Sequence, residues 1–296
     1  MSRTVLDAST VIHHAGSAGA GPATPSSGLI PLSTGVTLHY AVQGDPGGEP
    51  LVFLHGISDS WHSWKLVLPY LPPRFRAYAV SLRGHGMSDA PASGYRQIDF
   101  GADVAAFMEA LDLQGVTLVG HSLGSFVAQA VAAADRDRLR ALVLVGSGPG
   151  GLPDPVLAGE VRAAFEAVAA DRRHARDFQG STIARPVPAE FFETMVRSAE
   201  SLPPHVWRQV AEASVYSPDT DAALAAVRVP TLIVWGRQDA MLRRPEQDAL
   251  LAKIRDARLL EYEGTGHTPQ WEWPDRFAAD LVAFVSGLGT PAAPAR

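Results

Sequence analysis

Val119-Gly120-His121-Ser122-Leu123-Gly124 stands between an apolar run, residues 116–119, and a helix-like segment, residues 126–134. The order is strand, tight turn and helix with a serine at the tip, and the spacing is G-x-S-x-G, the pattern of a nucleophile elbow. The flanking glycines have a physical task. So sharp a turn strains the serine backbone, and a side chain at Gly120 or Gly124 would crowd the neighbouring strand and helix. The Ser122 hydroxyl is thereby pushed out of the sheet. The helix behind it offers backbone N–H groups and a positive dipole end to a developing oxyanion.

Outward from this point, short apolar runs alternate with helical patterns. Strands are expected at 36–43, 51–54, 77–82, 116–119, 141–145, 231–235 and 258–262. Helices are expected at 61–70, 98–111, 126–134, 244–253 and 274–288. This alternation implies parallel βαβ units with right-handed crossovers, whose sites form at the carboxyl ends of the strands. Residues 149–226 break it. They carry helical patterns at 156–178, 188–199 and 204–216, punctuated by prolines and glycines, and no strand pattern. The expected organisation is a flexible arm at 1–28, a core at 29–148 and 227–287, a helical cap at 149–226 and a flexible tail at 288–296.

A serine hydroxyl is a poor nucleophile until a base takes its proton, and the base needs an orienting carboxylate. His267, in Gly264-Thr265-Gly266-His267-Thr268-Pro269, follows the last strand pattern and is the candidate base. Asp239, in Trp235-Gly236-Arg237-Gln238-Asp239, follows another strand and is the candidate acid. Glu261 and Glu263 are too close in sequence to His267 to reach round its ring. An aspartate after a strand could instead serve as a helix N-cap. The oxyanion donors are expected at the N–H groups of Leu123 and Ile57, the latter turned inward by Gly56 in His55-Gly56-Ile57. His55 reads as a hydrogen-bonded brace and His121 as a structural residue facing away from the nucleophile.

These segments, with Arg83-Gly84-His85-Gly86-Met87-Ser88-Asp89, resemble the α/β-hydrolase superfamily over residues 30–287. The resemblance implies an α/β fold: an eight-stranded, mostly parallel sheet flanked by helices, with a helical cap after the sixth strand. It also implies that 83–89 is a structural loop. Haloalkane dehalogenases and epoxide hydrolases of that superfamily carry an aspartate at the elbow, so Ser122 points to acyl chemistry on an ester or lactone. Carbon–carbon hydrolysis of the meta-cleavage-product type stays open, since 267–272 resembles the matching region of those enzymes. So do a cofactor-free perhydrolase and a receptor-like binding protein with little turnover.

The cap is rich in aromatic residues, which form its own core or wall an apolar pocket. Trp61, Phe191, Phe192, Trp207 and Trp271 are the candidate substrate contacts. The partner expected is therefore a small to medium, mainly apolar molecule. The chain has 296 residues and net charge −6, is 46% hydrophobic and 19% charged, and shows no basic cluster to neutralise nucleic-acid phosphates. It has no cysteine, which excludes disulfides, thiolate metal sites and a cysteine nucleophile. Neither a cofactor nor a metal is expected. No apolar run reaches the ~18–20 residues of a membrane span, and Asp7 and His13-His14 interrupt any signal-like stretch, so a cytoplasmic location is expected. A homo-oligomer is left open.

Overall fold

The computed structural model describes residues 25–134, 136–150, 155–213 and 224–289. Its centre is one eight-stranded sheet built from β1 (Ser26–Pro31), β2 (Thr37–Gln43), β3 (Glu49–Leu54), β4 (Phe75–Val80), β5 (Val116–His121), β6 (Leu139–Val145), β7 (Thr231–Gly236) and β8 (Ala257–Tyr262). The spatial order is β1-β2-β4-β3-β5-β6-β7-β8. β2 pairs antiparallel with both β1 and β4, and every later pairing is parallel. The chain turns outward in opposite senses from β3, so β3 and β5 lie side by side at the switch point where such sheets place their sites.

The side-chain period of two sorts each central strand between two cores. Val52 and Leu54 of β3, with Leu118, Leu142, Leu144 and Ile233, face one apolar cluster. It is closed by Phe100, Val104 and Phe107 of α1 (Gln97–Ala110), Val127 and Val131 of α2 (Leu123–Ala134) and Leu250 of a later helix, here α7 (Arg244–Lys253). Leu51 and Phe53, with Val119, Val143, Val145 and Val234, face the other. Burial on both faces explains why β5, β6 and β7 read as continuous apolar runs.

Between β6 and β7 lie the helices α3 (Pro155–Ala170), α4 (Ala175–Ser181), α5 (Ala189–Ser201) and α6 (Pro204–Ala213), with further helical backbone at 224–226. After α7 come α8 (Pro269–Glu272) and α9 (Pro274–Ser286); Phe277, Leu281 and Val285 of α9 close the second cluster.

Three expectations change. Residues 61–70 form two short 3₁₀ turns, Trp61–Trp64 and Leu68–Tyr70, because Pro69 lacks an N–H and biases Leu68 away from α geometry. The single helix expected at 156–178 is two. The chain is extended at Asp171, whose carboxylate accepts the Arg173 N–H at 3.0 Å and caps a new turn. The strand β1 begins inside the stretch expected as an arm, with Ser26 paired to Val42. The rest of that stretch lies outside the described residues, as do residues 151–154 and 214–223 of the cap and 290–296 of the tail. No described helix is long and apolar enough to cross a membrane.

Candidate active site

Ser122 sits at the β5–α2 turn with φ +50°, one of two non-glycine residues in the left-handed region among the described residues. The strain is held by close backbone packing. A Cβ on Gly120 would lie 2.2 Å from the Gly124 oxygen, and one on Gly124 2.5 Å from the Leu54 oxygen. The Gly124 N–H donates to the His55 carbonyl at 3.0 Å and ties the helix start to the β3 loop.

Asp239 follows β7 and His267 follows β8, and the sheet brings them together. The Asp239 carboxylate accepts from His267 Nδ1 through Oδ2 at 2.8 Å. Its other oxygen accepts the N–H groups of Met241 and Leu242, at 2.8 and 2.9 Å. One carboxylate thus caps the turn that carries it and fixes the imidazole tautomer, with the proton on Nδ1 and Nε2 left as the basic atom. His267 Nε2 is buried and has no partner among the described residues. Burial presses the His267 pKa down, but the Asp239 charge and hydrogen bond outweigh it and hold the pKa above the usual imidazole value. Glu261 and Glu263 turn instead to arginines, Arg244 and Arg237. Ser122 and His267 line the same cleft.

The Ile57 and Leu123 N–H groups donate to no acceptor among the described residues. Their loops are rigidly supported. The Leu82 N–H donates to His55 Nε2 at 3.0 Å, so His55 Nδ1–H donates to the Gly56 carbonyl at 2.7 Å. His85 lies between the carbonyls of Arg83 and Ile57, at 2.8 and 2.6 Å. Arg83 grips buried Asp103 with two 2.6 Å bonds, so residues 83–89 brace the β3 loop. His121 does not simply face away: its Nε2 meets the His267 carbonyl at 3.0 Å and its ring lies 4.9 Å from that of His267.

On one side of Ser122 the cleft is apolar and walled by Phe126, Val161, Phe165, Val210, Met241 and Leu242. The other side is a smaller recess reached by Asp59, His121, Gln179, Thr268 and Trp271. Of the five aromatic candidates, Trp271 alone lines either part; its Nε1–H donates to Ser63. Trp61 stacks on His62 at 4.0 Å. Phe191 packs edge-on to Trp271, Phe192 lies under Arg176, and Trp207 forms a T-shaped trio with Phe165 and Phe178. Phe191 and Trp207 are buried inside the cap, whereas Trp61 and Phe192 are only partly buried. Val161, Phe165, Met241 and the polar pair Asp59 and Gln179 take the places beside the serine. Met241 and Asp59 had a signal, each lying a few residues beyond a strand end; Val161, Phe165 and Gln179 had none. No group of three His, Cys, Asp or Glu side chains suited to a metal occurs among the described residues.

Residues 49–274 match the family model of the alpha/beta hydrolase fold, and the chain belongs to that family. It is 31% identical to a non-heme chloroperoxidase of Streptomyces lividans, over 87% of this chain and 99% of that protein. It is 28% identical to 2-hydroxymuconate semialdehyde hydrolase of Pseudomonas sp. (strain CF600), over 89% and 95% respectively. The solved esterase from Exiguobacterium antarcticum superposes with TM-score 0.80 at 24% identity, covering 87% of this chain and 98% of that one, a likeness of fold.

Proposed function

We propose that this protein is a serine hydrolase that cleaves a carboxylic ester or lactone of a small to medium, largely apolar substrate through an acyl-enzyme. The observation that carries the reading is the buried 2.8 Å His267–Asp239 bond, which leaves an unpartnered Nε2 in the cleft that Ser122 lines. Ser122 Oγ attacks the carbonyl carbon as its proton passes to His267 Nε2. The Asp239 carboxylate stabilises the imidazolium, and the Ile57 and Leu123 N–H groups receive the oxyanion. Collapse expels the alcohol, which takes the proton from His267. Water then repeats the sequence on the acyl-Ser122 ester and releases the acid. A cleft walled by apolar side chains suits a hydrocarbon chain or ring beside the scissile bond.

The relative that acts on 2-hydroxymuconate semialdehyde takes an acidic substrate. Among the described residues no arginine or lysine lines either part of the cleft, so no cation there offsets a substrate carboxylate. This weighs against the carbon–carbon reading. The likeness to a chloroperoxidase favours a second reading, a perhydrolase in which hydrogen peroxide replaces water in the second half-reaction. Steady-state hydrolysis of p-nitrophenyl esters, with and without peroxide, tests both. Turnover of acyl esters that is abolished in Ser122→Ala supports the proposal. Absence of turnover across acetyl to octanoyl esters contradicts it.

A further inference from the structure

The polar recess beside Ser122 has an unusual donor–acceptor balance. Asp59 is 3% exposed and lies in the loop after β3. Its Oδ1 accepts from Ser58 Oγ at 3.0 Å and from Gln179 Nε2 at 3.2 Å; its Oδ2 accepts from Ser63 Oγ at 3.2 Å. The Gly56 backbone N–H adds a fourth hydrogen bond, so the Asp59 carboxylate is fully engaged and anchors Gln179. Gln179 comes from α4 and is fully buried. Its amide orientation is fixed because its nitrogen faces two acceptors, Asp59 Oδ1 and the Met195 carbonyl, the latter at 3.2 Å. Gln179 Oε1 is therefore an acceptor, and it is buried without a partner. His121 adds a second. Its Nε2 must carry the proton to meet the His267 carbonyl, so Nδ1 is a bare acceptor, again buried without a partner. A Cβ on Gly56 would stand 3.1 Å from His121 Nδ1 and 3.2 Å from Asp59 Oδ2, so the glycine lets both groups pack closely on this loop.

Gln179 Oε1 and His121 Nδ1 are thus spare acceptors in this recess, which Ile57, with the N–H assigned to the oxyanion, also lines. Burying such acceptors unsatisfied costs about 1–3 kcal/mol each, a cost that a ligand donor removes. A carboxylate or carbonyl set against these two acceptors would meet repulsion. We propose that this recess is a substrate subsite for a hydroxyl group, so that the preferred ester carries hydrocarbon on the Val161 and Leu242 side of the scissile carbonyl and a hydroxyl on the Asp59 side. The proposal rests on the serine-hydrolase reading of the same site.

A hydroxyl fits better than an ammonium for two reasons. Burial opposes the Asp59 charge and pushes its carboxyl up to about 6, against the hydrogen bonds of Gln179, Ser58 and Ser63, so the recess is a poor counter-ion for a fully desolvated cation. An ammonium here would also oppose the imidazolium that His267 must become, since His267 lines the recess and feels the Asp59 charge.

Calorimetric binding to the Ser122→Ala protein tests the subsite apart from turnover. The probes are ethyl butyrate, ethyl 3-hydroxybutyrate, 2-hydroxyethyl butyrate, ethyl 4-aminobutyrate and monoethyl succinate. The first hydroxylated ester places the hydroxyl on the acyl side, the second on the alcohol side. At least one should bind about tenfold more tightly than ethyl butyrate, with the amine and the carboxylate weaker than that hydroxyl ester. Adding Gln179→Met or Asp59→Asn, in whichever protein keeps the wild-type circular dichroism, should bring the hydroxyl-to-butyrate ratio towards one. Equal affinities for all neutral esters, a tighter amine, or a ratio unmoved by the second substitution overturns the subsite. Wild-type protein that binds a hydroxy ester selectively yet hydrolyses none of the probes would overturn the hydrolase reading and leave the subsite standing.

Discussion

At Asp239 one carboxylate does two jobs, holding the Met241 and Leu242 N–H groups with one oxygen and His267 Nδ1 with the other. The turn and the imidazole are therefore set by the same group, and the N-cap-like use of an aspartate after a strand does not compete with the catalytic one. Asp239→Asn should keep the turn but favour the wrong tautomer, lowering kcat by about 10⁴. The charge also sets a pH profile. Burial lowers the His267 pKa, yet the Asp239 charge and hydrogen bond raise it further, so the net direction is upward. The base works only when neutral. In the wild type kcat/KM should then be low in acid and rise through an apparent pKa above the ordinary value of about 6.5. An inflection below 6.5, measured on a p-nitrophenyl ester, would contradict the pairing. Ser122, Asp239 and His267 stood out as candidates in the sequence because each lies within a few residues of a strand end. β7 and β8 are neighbours in the sheet, which brings Asp239 and His267 into contact.

Among the elements, the cap helices differ in legibility from the sheet. The strands announce themselves because β5, β6 and β7 are apolar on both faces. A cap helix gives the same apolar periodicity whether its aromatic residues pack inward or wall a cleft. Sequence alone thus pointed to Phe191, Phe192 and Trp207, whereas Val161 and Phe165 of α3 and Val210 of α6 face the site. Gln179, which shares α4 with the polar residues Arg176, Asp177 and Ser181, gave no sign that it would reach Ser58 and Asp59 across the cap–core seam. If α3 walls the hydrocarbon side, enlarging it should shorten the acyl chain accepted. Val161→Phe should lower kcat/KM for an octanoyl ester about 10-fold or more while sparing the acetyl ester. An unchanged ratio of the two constants would remove α3 from the specificity wall.

Over the whole molecule, cap and core are joined at the site itself. Phe165, Phe178, Trp207 and Val210 belong to the same apolar cluster as Leu54 and Leu118 of the sheet. The His267 N–H donates to the Thr182 carbonyl at 2.8 Å, and Glu272 accepts N–H groups from Gly266 in the core and from Ala184 and Arg185 in the cap. The histidine loop is thus clamped between the two layers, and the cleft opens where they part. The central claim is that this cleft exposes one activated serine. Incubation of the native protein with a fluorophosphonate, followed by peptide mass spectrometry, tests it most directly. A single stoichiometric adduct on Ser122 is expected, formed about a hundredfold more slowly or worse in Asp239→Asn. No adduct, or an adduct at any other residue, would contradict it.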